Sequence, residues 1–219
     1  MVSMDELIKV IGEDFTRFMH VNFLSTEQIT FKQLGSGGFT KNIFELIMST
    51  GSTSNSYAWM YFDVANFTIK FGTLLFKAVF SEEDGYFAFM GFKENLNEPE
   101  FNMTDNHAGF MVYDGKLYIS VADGDNQQKL EIVGFDWTNN LLYKVKYNEF
   151  WLKPLPVIVP YFDGWRIEKP MREWKNLGTL GTFPPTDQAY YLMFYIKNSV
   201  NYDRRLTIKH IVYGEEYAD

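Results

Sequence analysis

Cysteine is absent from the 219 residues. Disulfides, thiolate metal ligands and cysteine nucleophiles are therefore excluded, and cysteine usage gives no reading of the redox compartment. Histidine is scarce, with 3 in the chain, which argues against a histidine-rich metal site. Positive charge is in deficit: 20 Lys and Arg stand against 28 Asp and Glu, for a formal net charge of -8. Nucleic-acid binders usually carry a basic surface, so nucleic acid is not an expected partner. No run approaches the ~18 apolar residues of a membrane-spanning helix, so membrane insertion is not expected either. The opening Met-Val-Ser-Met-Asp-Glu lacks the basic stretch and apolar run of a secretory signal. Cytoplasmic synthesis is the expectation, with a place in a virus particle as an alternative.

Aromatic residues are what the chain has in excess. They make up 18%, with 14 Tyr and 21 Phe, a composition that favours strands over helices. The stretch from Gly109 to Val121 shows the pattern most clearly. Asp114-Gly115 separates two alternating runs, and both residues tolerate the positive φ that a two-residue hairpin turn needs. Such a turn fixes the register, with Tyr113 opposite Lys116, Val112 opposite Leu117 and Phe110 opposite Ile119. One face then carries Phe110, Val112, Leu117, Ile119 and Val121. The other carries Met111, Tyr113, Lys116, Tyr118 and Ser120, an aromatic and polar surface.

The chain divides into two parts. Ser3-Met-Asp-Glu6 has the form of a capping box, and Met4, Leu7, Ile8, Ile11, Phe15, Phe18 and Met19 recur at helical spacing. An amphipathic helix over 1–24 is expected, docked on the rest or reaching to a neighbouring subunit as an assembly arm. From residue 25 to 219 the period is two. Strands are expected at Trp59 to Phe62, Asn66 to Phe71, Leu74 to Phe80, Tyr86 to Phe92, Leu130 to Phe135, Leu141 to Tyr147, Tyr190 to Lys197 and Leu206 to Tyr213. Val157 to Tyr161 and Trp165 to Glu168 read as one more hairpin. Lys93 to His107 reads as a polar loop, and Lys169 to Gln188 as a long one. Regularly spaced short strands with turn signals between them predict a mainly β, antiparallel two-sheet sandwich.

The order of motifs resembles the concanavalin A-like lectin/glucanase jelly rolls, the group that includes laminin G-type domains. Gly72-Thr-Leu-Leu-Phe-Lys-Ala-Val-Phe80 leads into Gly85-Tyr-Phe-Ala-Phe-Met-Gly-Phe92, then the Asp114-Gly115 hairpin. Leu142-Tyr-Lys-Val-Lys-Tyr147 precedes Pro160-Tyr-Phe-Asp-Gly164. Tyr191-Leu-Met-Phe-Tyr-Ile-Lys-Asn198 and Leu206-Thr-Ile-Lys-His-Ile-Val-Tyr213 are similar to the closing strand pair. The resemblance spans about Gly72 to Tyr213. It implies two curved sheets, with any ligand on the concave sheet or its rim loops.

Catalytic signals are weak. The family's retaining glucanases use Glu-x-Asp-x-x-Glu to place two carboxylates about 5 Å apart, and no such run occurs here. Glu82-Glu-Asp84 sits in a turn, and Glu94, Glu98 and Glu100 read as solvated loop charges. His20, His107 and His210 have no local signature of a Ser-His-Asp triad. Asp123, Asp125 and Asn126 place oxygen ligands at a spacing compatible with Ca²⁺, which lectins of this family bind through loop Asp and Asn residues. The run lacks the later Glu of an EF-hand loop, so a plain turn is the first expectation and no cofactor is required.

Tyr and Trp join an apolar face to a polar tip, as a sugar-binding surface requires. Tyr113, Tyr118, Trp165 and Trp174 are the candidate ligand-binding residues. The same rings serve equally well as core filling or subunit contacts. The expected function is a non-catalytic lectin-like module whose partner is carbohydrate or another protein subunit. The alternatives are a self-associating structural protein of a virus particle, forming a homo-oligomer, and a glycoside hydrolase with unrecognised carboxylates.

Overall fold

The computed structural model describes residues 17–20, 23–24, 28–43, 45–63, 65–68, 72–133, 137–138, 141–146, 149–154, 158–161, 164–167, 175–176 and 184–215. In chain order the strands begin with β1 (Arg17–His20), β2 (Ile29–Leu34), β3 (Gly38–Lys41), β4 (Glu45–Ser49), β5 (Tyr57–Phe62) and β6 (Gly72–Phe80). They continue with β7 (Tyr86–Lys93), β8 (His107–Tyr113), β9 (Lys116–Ala122), β10 (Gln127–Ile132), β11 (Leu141–Lys146) and β12 (Glu149–Pro154). The last are β13 (Ile158–Tyr161), β14 (Gly164–Ile167), β15 (Lys175–Asn176), β16 (Tyr191–Asn198) and β17 (Arg205–Glu215).

The strands build two antiparallel sheets. One has the order β15-β12-β11-β6-β17-β4-β3, with β1 added on β17; the other is β10-β9-β8-β7-β16-β5-β2. The central hairpin forms in the expected register, from Tyr113 opposite Lys116 to Phe110 opposite Ile119. Asp114 and Gly115 take φ of 50° and 70°, the primed turn that matches strand twist. Phe110, Val112, Leu117, Ile119 and Val121 are all buried between the sheets. Phe76 of the first sheet ties the layers together. Its ring stacks on Tyr143 at 5.1 Å and meets Phe194 of the second sheet edge-on at 5.1 Å. Each such ring contributes roughly 2–3 kcal/mol by burial alone.

Two expectations change. The helix expected over 1–24 lies largely outside the described residues, but Arg17–His20 are strand, with Arg17 opposite Glu215 and His20 opposite Val212. Phe18 and Met19 suit either period, and here they pair along the C-terminal end of the eleven-residue β17, opposite Gly214 and Tyr213. The strand expected over Asn66 to Phe71 reduces, among the described residues, to one bridge between Phe67 and Tyr190. The hairpin expected near Trp165 is present as β13 and β14, apart from both sheets.

One glycine pair is required by the packing. Gly91 and Gly109 face each other across β7 and β8. A Cβ on Gly91 would lie 2.4 Å from the Ala108 carbonyl oxygen and 2.6 Å from Gly109 Cα. Both obstacles are backbone, which cannot swing aside. Gly91→Ala is expected to cost about 2 kcal/mol in a urea titration. Gly38→Ala, where nothing lies within 4 Å of the new Cβ, is expected to stay within roughly 0.5 kcal/mol of the parent.

Candidate functional site

The outward face of the seven-stranded sheet is built from rows of side chains that the strand registers align. At the hairpin end, Tyr57, Lys197, Phe87, Tyr113 and Lys116 run across five adjacent strands. The next row reads Trp59, Tyr195, Phe89, Met111 and Tyr118. At the far end, Tyr191, Lys93, His107 and Ala122 form the last row. A face so rich in aromatics needs either solvent-tolerant polar tips or a cover.

Much of it has a cover made by the chain itself. The 94–106 segment joining β7 to β8 folds back over the face as a strap. Met103, Leu96 and Phe101 pack with Trp59, Tyr61, Phe89, Met111, Met193 and Tyr195 in a second apolar cluster. Phe101 stacks on Tyr113 with centroids 4.2 Å apart and meets Tyr118 edge-on at 5.3 Å. The Lys129 ammonium lies 3.6 Å from the Phe101 ring and donates to the Asn102 side chain at 2.6 Å. Gln127 Nε2 donates to the Phe101 carbonyl at 3.0 Å. Glu98 accepts from the Tyr195 hydroxyl at 2.5 Å and from Lys197 Nζ at 2.8 Å. Partial burial alone would raise the Glu98 pKa, but the bonds from Lys197 and Tyr195 hold its carboxyl below the usual range. Burial, and then the Glu98 hydrogen bond, push the Tyr195 hydroxyl far up. Glu94 accepts from Asn106 Nδ2 at 2.6 Å. Glu98, although exposed as expected, thus ties the strap to β16, and Glu94 ties the start of the strap to its end at Asn106.

The root of the strap is a buried polar network. Lys93, with no exposed side-chain surface, forms an ion pair with Asp105 at 2.6 Å and also donates to Asn95. His107 is fully buried. Its Nδ1 lies 2.7 Å from the Asp105 backbone carbonyl, which can only accept, so Nδ1 carries the proton. Nε2 then accepts from the Ser120 hydroxyl at 2.8 Å, and Ser120 Oγ accepts from Gln127 Nε2 at 3.0 Å. Burial lowers the His107 pKa to about 4, with the Lys93 ammonium adding to the effect and the Asp105 carbonyl opposing it. A Ser–His contact invites a nucleophilic reading. Here Ser120 is fully buried beneath the strap and its imidazole is oriented by a carbonyl, not a carboxylate. The pair holds strands and strap together.

An open cleft remains at the hairpin end, where the face runs out from under the strap. Its volume is about 460 Å³, and Phe87, Tyr113, Asp84, Asp114, Lys197 and Asn55 are among its walls. Tyr113 is 43% exposed although Phe101 stacks on it. Asp84 and Asp114 are exposed. The β6–β7 turn supplies Asp84, the β8–β9 turn Asp114, and β16 Lys197. Apolar ring faces thus stand beside carboxylates, an amide and an ammonium in one concave site.

The residues singled out in the sequence fall in different places. Tyr113 lines the cleft, while Tyr118 lies one row away against Phe101. Trp165 sits on β14 opposite Pro160, with its side chain outside the described residues, and Trp174 lies outside them altogether. Asp123, Asp125 and Asn126 form the β9–β10 turn. Asp123 Oδ1 accepts the backbone N–H of Asn126 at 2.8 Å and of Asp125 at 3.1 Å, and these bonds lower its pKa. That is the plain Asx turn. Ca²⁺ takes 6–8 oxygen ligands. Among the described residues no group of three or more His, Asp and Glu side chains stands together to hold a metal. Phe101 and Glu98 had no periodic signal to mark them, since both belong to an irregular segment.

No protein-family model matches the sequence, and no curated protein does. Solved structures do match. A legume lectin-like domain from Entamoeba histolytica aligns with a TM-score of 0.57 at 10% identity, covering 88% of this chain and 92% of that one. The exoplasmic/lumenal domain of VIP36, in its Ca²⁺/Man3GlcNAc-bound form, aligns with a TM-score of 0.56 at 10% identity, covering 89% and 86%. A protein of unknown function from Shewanella oneidensis MR-1 aligns over 100% of this chain and 98% of its own, with a TM-score of 0.50 at 10% identity. Two antiparallel sheets in this strand order, matched along most of their length by lectin domains, give this chain the concanavalin A-like lectin jelly-roll fold.

Proposed function

We propose that this chain is a non-catalytic carbohydrate-binding module and that the cleft beside Tyr113 is its saccharide site. The observation that carries the reading is the cleft itself. Saccharides present an apolar C–H face and a ring of hydroxyls, and they are held by a ring stacked on the first and by carboxylates and amides bonded to the second. Tyr113 and Phe87 supply rings, and Asp84, Asp114 and Asn55 supply polar partners, within about 460 Å³. The names of the fold neighbours support the ligand class, since the VIP36 domain was solved with Man3GlcNAc. The missing Glu-x-Asp-x-x-Glu run supports binding without hydrolysis.

The test is a glycan array followed by titration of the hits. Tyr113→Ala is expected to weaken binding at least about tenfold, the loss of one aromatic platform. Tyr113→Phe keeps the ring and its stacking on Phe101, and is expected to retain most of the affinity. Parent-like melting of both variants separates a lost contact from a lost fold. Equal binding by the parent and Tyr113→Ala would remove the site from the cleft.

A further inference from the structure

The charges around the cleft do not cancel. The β6–β7 turn contributes Glu82, Glu83 and Asp84, all exposed, and the β8–β9 turn contributes Asp114. The two turns are neighbours: a Cβ on Gly115 would lie 3.9 Å from Asp84 Cβ and 4.0 Å from the Glu83 carbonyl oxygen. The cations nearby are already engaged. Lys197 is paired with Glu98 at 2.8 Å, Lys116 with Glu131 at 3.0 Å, and Arg204 with Asp84 at 3.7 Å. The Arg204 side chain, only 14% exposed, also donates from Nε to the Asp84 backbone carbonyl at 2.8 Å, so it is spent on bracing the turn. A ligand entering beside Tyr113 meets the exposed Asp114, with Asp84 held at 3.7 Å by Arg204 and Glu82 and Glu83 exposed on the same turn; salt at physiological strength screens such charges only beyond ~8 Å.

We infer that the cleft takes uncharged saccharides and rejects sialylated, sulfated and uronic-acid glycans, because Asp114 and Asp84 are among its walls and the exposed Glu83 stands on the turn beside them, while Lys197, Lys116 and Arg204 are paired. Neutral hydroxyls donate to these carboxylates in bonds of the charge-assisted kind. An anionic sugar would have to bring a like charge against them, while the nearby cations among the described residues, Lys197, Lys116 and Arg204, already hold carboxylates. This inference rests on the saccharide-site reading above and adds the class of ligand to it.

The experiment pairs neutral hexose oligosaccharides with the same oligosaccharides carrying a sulfate or a uronic acid, titrated against the full chain in roughly 0.05 M and roughly 0.5 M salt. The neutral member of each pair is expected to bind at least about tenfold tighter at low salt, and the gap is expected to narrow at high salt. Asp114→Asn should narrow it too, since Asn accepts the positive φ of this turn and removes only the charge. Acidic members bound as tightly as neutral ones, or tighter, would overturn the inference while leaving the saccharide site standing. A gap that neither salt nor Asp114→Asn changes would overturn it as well, because the discrimination would then be steric. Failure of the chain to bind either member of any pair would instead strike the saccharide reading, and this inference with it.

Discussion

Asp105→Ala is expected to destabilise the protein by about 3 kcal/mol, far more than its partly exposed position suggests. The reason lies in its partner. Asp105 keeps 33% of its side-chain surface in water, but the Lys93 ammonium it holds has none. Removing the carboxylate leaves a buried cation with the Asn95 carboxamide as its remaining side-chain acceptor. Removing the cation instead exposes nothing costly, so Lys93→Met is expected to cost about 1 kcal/mol or less. The double variant Lys93→Met/Asp105→Ala should be more stable than Asp105→Ala alone, a reversal that a double-mutant cycle by chemical denaturation reads directly. Faster hydrogen exchange at 94–106 in Asp105→Ala would show that the ion pair holds down the strap. Two single variants of equal cost, with an additive double, would contradict the account.

Acid should weaken the fold first through His107. The unfolded chain binds a proton at His107 near pH 6.5, whereas burial in the folded chain lowers that value to about 4. Above pH 6.5 neither state is protonated. Between the two values the unfolded state holds the extra proton, so stability falls as pH falls. The total loss is about 3 kcal/mol by pH 4. Asp105 and Glu98 have lowered pKa values, so their stabilisation is retained through most of this range and lost only below it. The charged groups that act on His107 are the Lys93 ammonium, Asp105 and the Lys129 ammonium. Urea titrations across that interval should show the slope in the parent and its loss in His107→Gln. An unchanged slope in His107→Gln would assign the acid sensitivity elsewhere.

The hairpin at Asp114-Gly115 was legible because two strictly local facts suffice: a dipeptide that tolerates positive φ, and alternation on both sides of it. Register and the inward set Phe110, Val112, Leu117 and Ile119 follow from those alone. What lies on the opposite face was not legible. Alternation marks Tyr113 and Tyr118 as outward, but the cover comes from a segment with no period of its own. Its fastenings are distant in sequence: Glu98 to Tyr195 spans 97 positions and Phe101 to Gln127 spans 26. Glu98 reads correctly as an exposed loop charge, but its partners Tyr195 and Lys197 arise only because that loop crosses the sheet. The cleft has the same origin. Asn55, Asp84, Tyr113 and Lys197 come from four stretches of the chain, and only Tyr113 could be nominated from its own surroundings. The stretch Arg17–His20 failed for the converse reason. Its apolar spacing suits a helix, and pairing with β17 overrides it.

The most direct test of the saccharide site is an NMR titration of the isotopically labelled chain with a neutral oligosaccharide selected from the array. The account predicts that the largest shift changes fall on the amides of Gly85, Tyr113, Gly115 and Ser199 at the hairpin end of the sheet, and that Tyr113→Ala abolishes them. Shifts concentrated instead at the β9–β10 turn around Asp123, or spread along β13 and β14, would contradict it and move the ligand to another part of the fold.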